Sequence, residues 1–169
     1  MANTYVQIGS TITAGAGGTS SVSFTSIPQT YTDLVIKFSS RNSDSSVRVR
    51  FNGTTTGYSE RLIYGSGTAA ASTNTSVQTS LVWGVSNNTS TAAGTFSSGE
   101  IYIPNYTAAT AKCISMDSVT EANTTAADIY MDAGFWNNTA AITQIDLFGT
   151  GSPHFVQYSS FSLYGILKS

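Results

Sequence analysis

Hydrophobic side chains in this sequence recur at every second position, and turn residues interrupt the rhythm before any run grows long. Alternation of this kind puts successive side chains on opposite faces of an extended strand, whereas a helix needs apolar residues three and four apart. Leu34, Ile36 and Phe38 alternate with Val35, Lys37 and Ser39. Val47, Val49 and Phe51 alternate with Arg48 and Arg50, and that run ends on Asn52-Gly53, a strong turn signal. The same period predicts strands over Tyr5–Ile12, Ser21–Phe24, Glu60–Tyr64, Val77–Val85, Gly99–Ile103, Cys113–Val119, Ile129–Phe135, Ile142–Phe148 and Phe161–Leu167. Gly15–Gly18, Gly65–Gly67, Asn87–Thr91, Pro104-Asn105 and Gly149–Pro153 supply turn material between them. Residues 65–76 are small and polar and read as a long loop; 120–127 is short, Thr-rich and a loop rather than a helix. The expected architecture is all-β, a two-sheet sandwich of about 8–11 strands with little or no helix, over the whole of 1–169 as one domain.

Composition agrees with strands and turns. Only 9% of the residues are charged, against roughly 25% in an ordinary soluble domain. Hydrophobic residues still make up 40% and aromatic residues 11%, enough to build a core. Polarity comes from Ser, Thr, Asn and Gly, which suit strand faces and turns. Seven Lys and Arg, dispersed in a chain of net charge −2, cannot form the basic stripe that a phosphate backbone needs, so nucleic acid is not an expected partner. No secretory leader pattern opens the sequence and no apolar run is long enough to span a bilayer, so neither export nor a membrane is expected.

A search for catalytic chemistry returns little. The lone Cys113 cannot form an intrachain disulfide or a metal cluster, and its alternating setting predicts a small apolar core residue. The single histidine, His154, lies in turn material without a nucleophile motif nearby and is expected on a surface loop. Asp128 and Asp132 share one strand face with Tyr130, the one carboxylate pair worth weighing for a sugar hydrolase; solvated strand faces explain them without chemistry. Asp44, Asp117 and Glu121 fall at expected loops or strand ends, and no EF-hand pattern occurs. No enzyme activity, metal or cofactor is expected.

Binding candidates are few. Arg48 and Arg50 are the most concentrated positive charge, able to grip carboxylates of a neighbouring subunit or to sit as an ordinary polar face paired with Glu60 or Asp44. Tyr102, Tyr106, Trp136 and Tyr158 lie near expected strand ends or loops, where rings stack on sugars or anchor a protein contact; Tyr106 and Trp136 are the ones expected to do so. Trp83 and Phe135 suit core faces better. Residues 1–12, with Tyr5 and Val6, form an N-terminal arm or edge strand able to augment a neighbour's sheet.

Two stretches carry a resemblance. Ile27-Pro28-Gln29-Thr30-Tyr31-Thr32-Asp33-Leu34-Val35-Ile36 and the later Phe161-Ser162-Leu163-Tyr164-Gly165-Ile166, followed by Leu167, are similar to phrases of small structural proteins of tailed bacteriophages. Together they cover about a tenth of the chain and bring no catalytic motif. Physically, the first is a strand start: Pro28 holds Ile27 extended, Asp33 can accept from turn amides, and Tyr31 can lay its ring over the core edge. The resemblance implies a virion structural protein assembled in the host cytoplasm. A capsid decoration (cement) protein on the outer shell is the first expectation, with the major capsid protein or other virion proteins as partners and a homotrimer favoured. A tail or fibre component binding a receptor or glycan is the alternative. By the same analogy a jelly roll is the expected topology, since such sandwiches recur in viral surface proteins.

Overall fold

A computed structural model describes residues 4–44, 46–85, 87–123, 127–149 and 154–167. Thirteen strands occupy these residues, and no helix occurs among them. The order is β1 (Tyr5–Thr13), β2 (Ser21–Phe24), β3 (Asp33–Asn42), β4 (Ser46–Phe51), β5 (Tyr58–Gly65), β6 (Ala70–Gln78), β7 (Leu81–Val85), β8 (Asn87–Asn88), β9 (Ser97–Ile103), β10 (Lys112–Thr120), β11 (Asp128–Trp136), β12 (Ile145–Phe148) and β13 (Ser160–Ile166).

The strand order is a jelly roll with an extension. One sheet runs β1-β13-β3-β9-β10-β11-β5-β6, with β8 paired to β3; the other runs β2-β12-β4-β7. Four antiparallel pairs nest inside one another: β4 with β7, β3 with β9, β2 with β12 and β1 with β13. Following the chain, the partners of each pair are separated by ever longer stretches, and the pairs fall alternately into the two sheets. That is a double Greek key rolled into a sandwich. The segments β5–β6 and β10–β11 are inserted into this roll and join the β9 edge, widening one sheet from four strands to eight.

Alternation builds the core. Val22 and Phe24 of β2, Val47, Val49 and Phe51 of β4, and Ile145 and Leu147 of β12 point inward from the small sheet. Leu34, Ile36 and Phe38 of β3, Ile101 and Ile103 of β9, and Phe161 and Leu163 of β13 meet them from the large one. These side chains are 6% exposed or less, so each leaves water almost completely, a transfer that stabilises by about 1.5–3 kcal/mol for a large aliphatic or Phe side chain.

Two buried cations hold loops over the core. Arg41 donates to the carbonyls of Ala92 (2.7 Å), Thr95 (3.1 Å) and Thr91 (2.9 Å). Lys112 Nζ donates to the carbonyls of Ala108 (2.8 Å), Thr110 (2.5 Å) and Ala140 (3.1 Å), and burial pulls its pKa down. Carbonyls that a loop must bury thus receive donors, which is the condition for burying them at all.

The segments 27–36 and 161–167 lie side by side. β3 and β13 pair in register from Asp33↔Ile166 to Ser39↔Ser160, and Thr32 N–H donates to the Ile166 carbonyl at 2.8 Å. Asp33 acts differently from expectation: rather than its own turn, its carboxylate accepts from Asn105 N–H (2.8 Å) and Tyr102 O–H (2.9 Å), fastening the start of β3 to the end of β9.

Several local expectations are corrected. Residues 65–76 form the β5–β6 hairpin and most of β6, and the expected strand Val77–Val85 breaks at residues 79–80 between β6 and β7. His154 is fully buried, its ring 4.5 Å from that of Phe155 and its Nδ1 3.3 Å from Asp44 Oδ1. Gly149 makes the buried seat possible: a Cβ there would fall 1.8 Å from His154 Cε1. Cys113 is exposed, since in β10 the odd-numbered residues face solvent and the even-numbered ones the core. Residues 124–126 and 150–153, within two of the expected loops, and the side chain of Trp83 lie outside the described residues.

Candidate functional site

The four-stranded extension turns its usual polarity inside out. In β11 the residues Asp128, Tyr130, Asp132, Gly134 and Trp136 share the inner face, while Ile129, Met131, Ala133 and Phe135 share the outer one. The register carries this outer face across the neighbouring strands: Met131 stands beside Ile63 of β5 and Asp117 of β10, Ile129 beside Gly65 and Val119, and Phe135 beside Ser59 and Cys113. Five large apolar side chains are therefore exposed on one surface: Met131 at 58%, Ile63 at 57%, Ile129 at 54%, Val119 at 43% and Phe135 at 39%.

The reason lies on the inner face. The small sheet ends at β7, which packs under the lower part of the extension: Gly134 leaves room for Leu81, where a Cβ would fall 2.7 Å from a Leu81 methyl. Trp136 stacks on Tyr58 (ring centroids 6.2 Å apart, 14° between planes) and leans on Phe51 at 5.4 Å. Farther up, Tyr64 stacks on Tyr130 at 5.3 Å. Aromatic rings thus fill the inner side, and the aliphatic residues are left facing outward.

Two shallow apolar depressions flank the Ile63–Met131 pair. One of about 510 Å³ is lined by Gly65, Ala70, Ala71 and Ile129 beside that pair, and one of about 550 Å³ continues toward Arg61, Asn74, Ser115 and Asp117. A charged row borders the band. Lys37, Glu100 and Asp117 stand side by side on β3, β9 and β10, with Lys37 Nζ 2.6 Å from Glu100 Oε2. Partial burial, reinforced by the neighbouring Glu100 carboxylate, raises the pKa of Asp117.

Beneath the same strands sits a buried carboxyl group. Glu60 is 3% exposed and accepts from Val82 N–H at 2.8 Å and Thr75 O–H at 2.9 Å. Burial raises its pKa; those two donors and the charge of Arg48 act in the opposite direction. The group links β5 to β7 and β6, so its role is to tie the extension to the small sheet.

The residues singled out from sequence fall in separate places. Tyr5 and Val6 lie on β1 at the far edge of the large sheet; Tyr5 is half exposed and meets Tyr164 edge-on at 6.4 Å. Arg48 and Arg50 lie on β4 in the small sheet. Arg50 covers the Phe148 ring at 4.5 Å and donates from Nε to the Thr79 carbonyl at 3.3 Å, so it packs on its own sheet. Tyr106 and Trp136 are corrections. Both are fully buried, Tyr106 with its hydroxyl donating to the Pro28 carbonyl and Trp136 in the aromatic stack. Their neighbours Asn105 and Asn137 look like open loop, but Trp136 ends the inner face of β11, and the Tyr106 carbonyl accepts from Ile142 N–H at 3.0 Å.

Asp128 and Asp132 do share a face with Tyr130, as the spacing implies; that face is the packed one, and Asp132 is 5% exposed. Phe135, expected in the core, belongs to the exposed face. The signal that could have located this face is the strict alternation in 129–135 itself, read with the opposite sign. Comparison with protein-family models, with curated proteins and with solved structures finds no match for this chain.

Proposed function

We propose that this protein is a non-catalytic structural component of a tailed-phage virion, a decoration protein that docks on the outer shell through the apolar outer face of its sheet extension. The observation that carries the reading is the exposure of Ile63, Val119, Ile129, Met131 and Phe135 on one flat surface. Exposed contiguous apolar surface on a sheet is an interaction site in a soluble protein. The partner that fits has an apolar patch for Met131 and Ile63 and a cation for Asp117 and Glu100. The low charge of the chain suits close packing of many copies on one shell. The non-catalytic part of the reading is supported by the burial of His154 and of Asp132. Burial of Tyr106 and Trp136 withdraws the two rings a glycan-binding tip was expected to use, which favours the shell over the tail.

The test is binding of purified protein to capsids of the encoding phage from which this protein has been deleted, followed by cryo-EM of the occupied particle. Density repeated over the shell lattice, lost with Met131→Glu, is the expected result. Density confined to the tail end would make the chain a tail or fibre component. Failure to bind any virion part would remove the reading altogether.

A further inference from the structure

The large sheet ends on β6, and this edge differs from the others. Edge strands expose unpaired backbone groups, and natural sheets block them with charges, proline, bulges or brevity. β1 carries a bulge between Ile8 and Ile12, with Gly9 at φ +71°; β2 and β7 are only four and five residues long. β6 runs nine residues, Ala70–Gln78, pairs with β5 in unbroken register from Ala70 to Thr75 with its one bulge beyond that run, between Thr75 and Gln78, and holds neither charge nor proline. No charged residue occurs anywhere between Arg61 and Glu100.

The sequence of this edge is also its own mirror. Residues 72–76 read Ser-Thr-Asn-Thr-Ser, symmetric about Asn74. The hairpin fixes which backbone groups are free. Ser66 N–H donates to the Ala69 carbonyl, so by the alternation of an antiparallel ladder Ala71, Thr73 and Thr75 bond toward β5, while Ala70, Ser72 and Asn74 direct N–H and C=O outward. A second antiparallel copy centred on Asn74 then exchanges two backbone hydrogen bonds between the two Asn74 residues. It also sets Ser72 opposite Ser76 and Thr73 opposite Thr75, like beside like. Hydroxyl pairs of this kind are favourable across strands, and a contact in which each copy presents the same patch is what a two-fold axis requires.

We propose that β6 is a self-pairing edge, and that the protein forms a two-fold dimer in which the large sheets of two copies join into one continuous sheet through β6. The axis stands perpendicular to the sheet, so both apolar outer faces lie on the same side. This departs from the homotrimer expected from sequence. The dimer stands independently of the virion reading, because it is defined by the protein alone.

Light scattering of the purified chain at about 50 μM measures it first: the expected mass is twice the chain's 17.7 kDa. Asn74→Pro removes an outward N–H and no β5–β6 bond, so it should yield a folded monomer. A second measurement does not depend on disruption. In a Cys113→Ser background, Asn74→Cys should cross-link under mild oxidation, since the paired Cα atoms stand about 5.5 Å apart, within disulfide range; Ser10→Cys on β1 should not. A monomeric or trimeric wild type overturns the proposal. So does a dimer that survives Asn74→Pro but dissociates with Met131→Glu, which would mean that the apolar faces pair instead. Capsid binding is scored separately, so loss of the dimer and loss of the shell role are distinct results.

Discussion

Tyr31 lays its ring directly on the backbone of Gly165, so that a Cβ at residue 165 would fall 2.2 Å from Tyr31 Cγ. The contact joins the segment before β3 to β13. The two segments thus form one packing unit in the middle of the roll. Gly165→Ala must displace the ring, and overpacking of this kind costs about 1–3 kcal/mol. For a domain of this size that lowers Tm by about 2–4 °C per kcal/mol. Gly15→Ala, where a Cβ meets open space, is the control and should leave Tm within a degree or two. Equal melting of both variants and the parent would mean that Tyr31 does not occupy this seat.

Glu60 gives stability an acid-side signature. Its folded pKa lies above the ordinary 4.5 because burial disfavours the carboxylate. A group raised in the folded state contributes its stability fully below the unfolded pKa and loses it as pH rises through the folded value. Glu60→Gln can keep both contacts, its oxygen on Val82 N–H and its amide on the Thr75 hydroxyl. The difference in Tm, parent minus variant, should thus fall as pH rises from 4.5 toward neutrality. Parallel curves would show that Glu60 is ionised as readily as in water.

His154 works with the opposite sign. Burial lowers its pKa below 6.5 although Asp44 pulls upward. Its contribution is present above pH 6.5 and lost as pH falls through the folded value. Since the chain has a single histidine, its imidazole protons can be followed by NMR without assignment, and their midpoint should lie below 6.5. A midpoint at or above 6.5 would place the ring in water or in a dominant ion pair with Asp44.

Cys113 should react with a maleimide or an aromatic disulfide reagent in the native protein, stoichiometrically and without denaturant, because it faces solvent beside Phe135. A thiol that reacts only after unfolding would put the odd-numbered residues of β10 inside. That result would reverse the face on which Phe135 and Met131 stand.

The roll itself was legible in the sequence, because β2, β4 and β13 each bury one face and leave the other at least partly open, and alternation reports that arrangement directly. The site was not. β6 has solvent on both faces along most of its length, so Ala-Ala-Ser-Thr-Asn carries no alternation and resembles a loop. In β11 the alternation is clear but its sense is inverted: Ile129, Met131 and Phe135 would be taken for core by any rule that sends aliphatic residues inward. Only the position of β7 decides otherwise, and that is a property of the assembled sheets. Tyr106 failed for a similar reason, since a flanking Asn signals a turn but not the direction in which the turn sends the ring; Trp136 was missed because β11 runs one residue past the expected Phe135 and ends on its inner face.

The nesting of the four strand pairs also sets a time order. β4 and β7 close across the shortest stretch, β3 and β9 across a longer one, and β2–β12 and β1–β13 across most of the chain. Closure entropy grows with the length of chain enclosed, and distant pairings form late and slowly. The β3–β13 junction, with Tyr31 on Gly165, must await the return of a strand more than a hundred residues downstream. Damage there should then appear almost wholly as faster unfolding, with the refolding rate of Gly165→Ala close to the parent's. The last seam to close would be the one that sets how long the closed roll lasts.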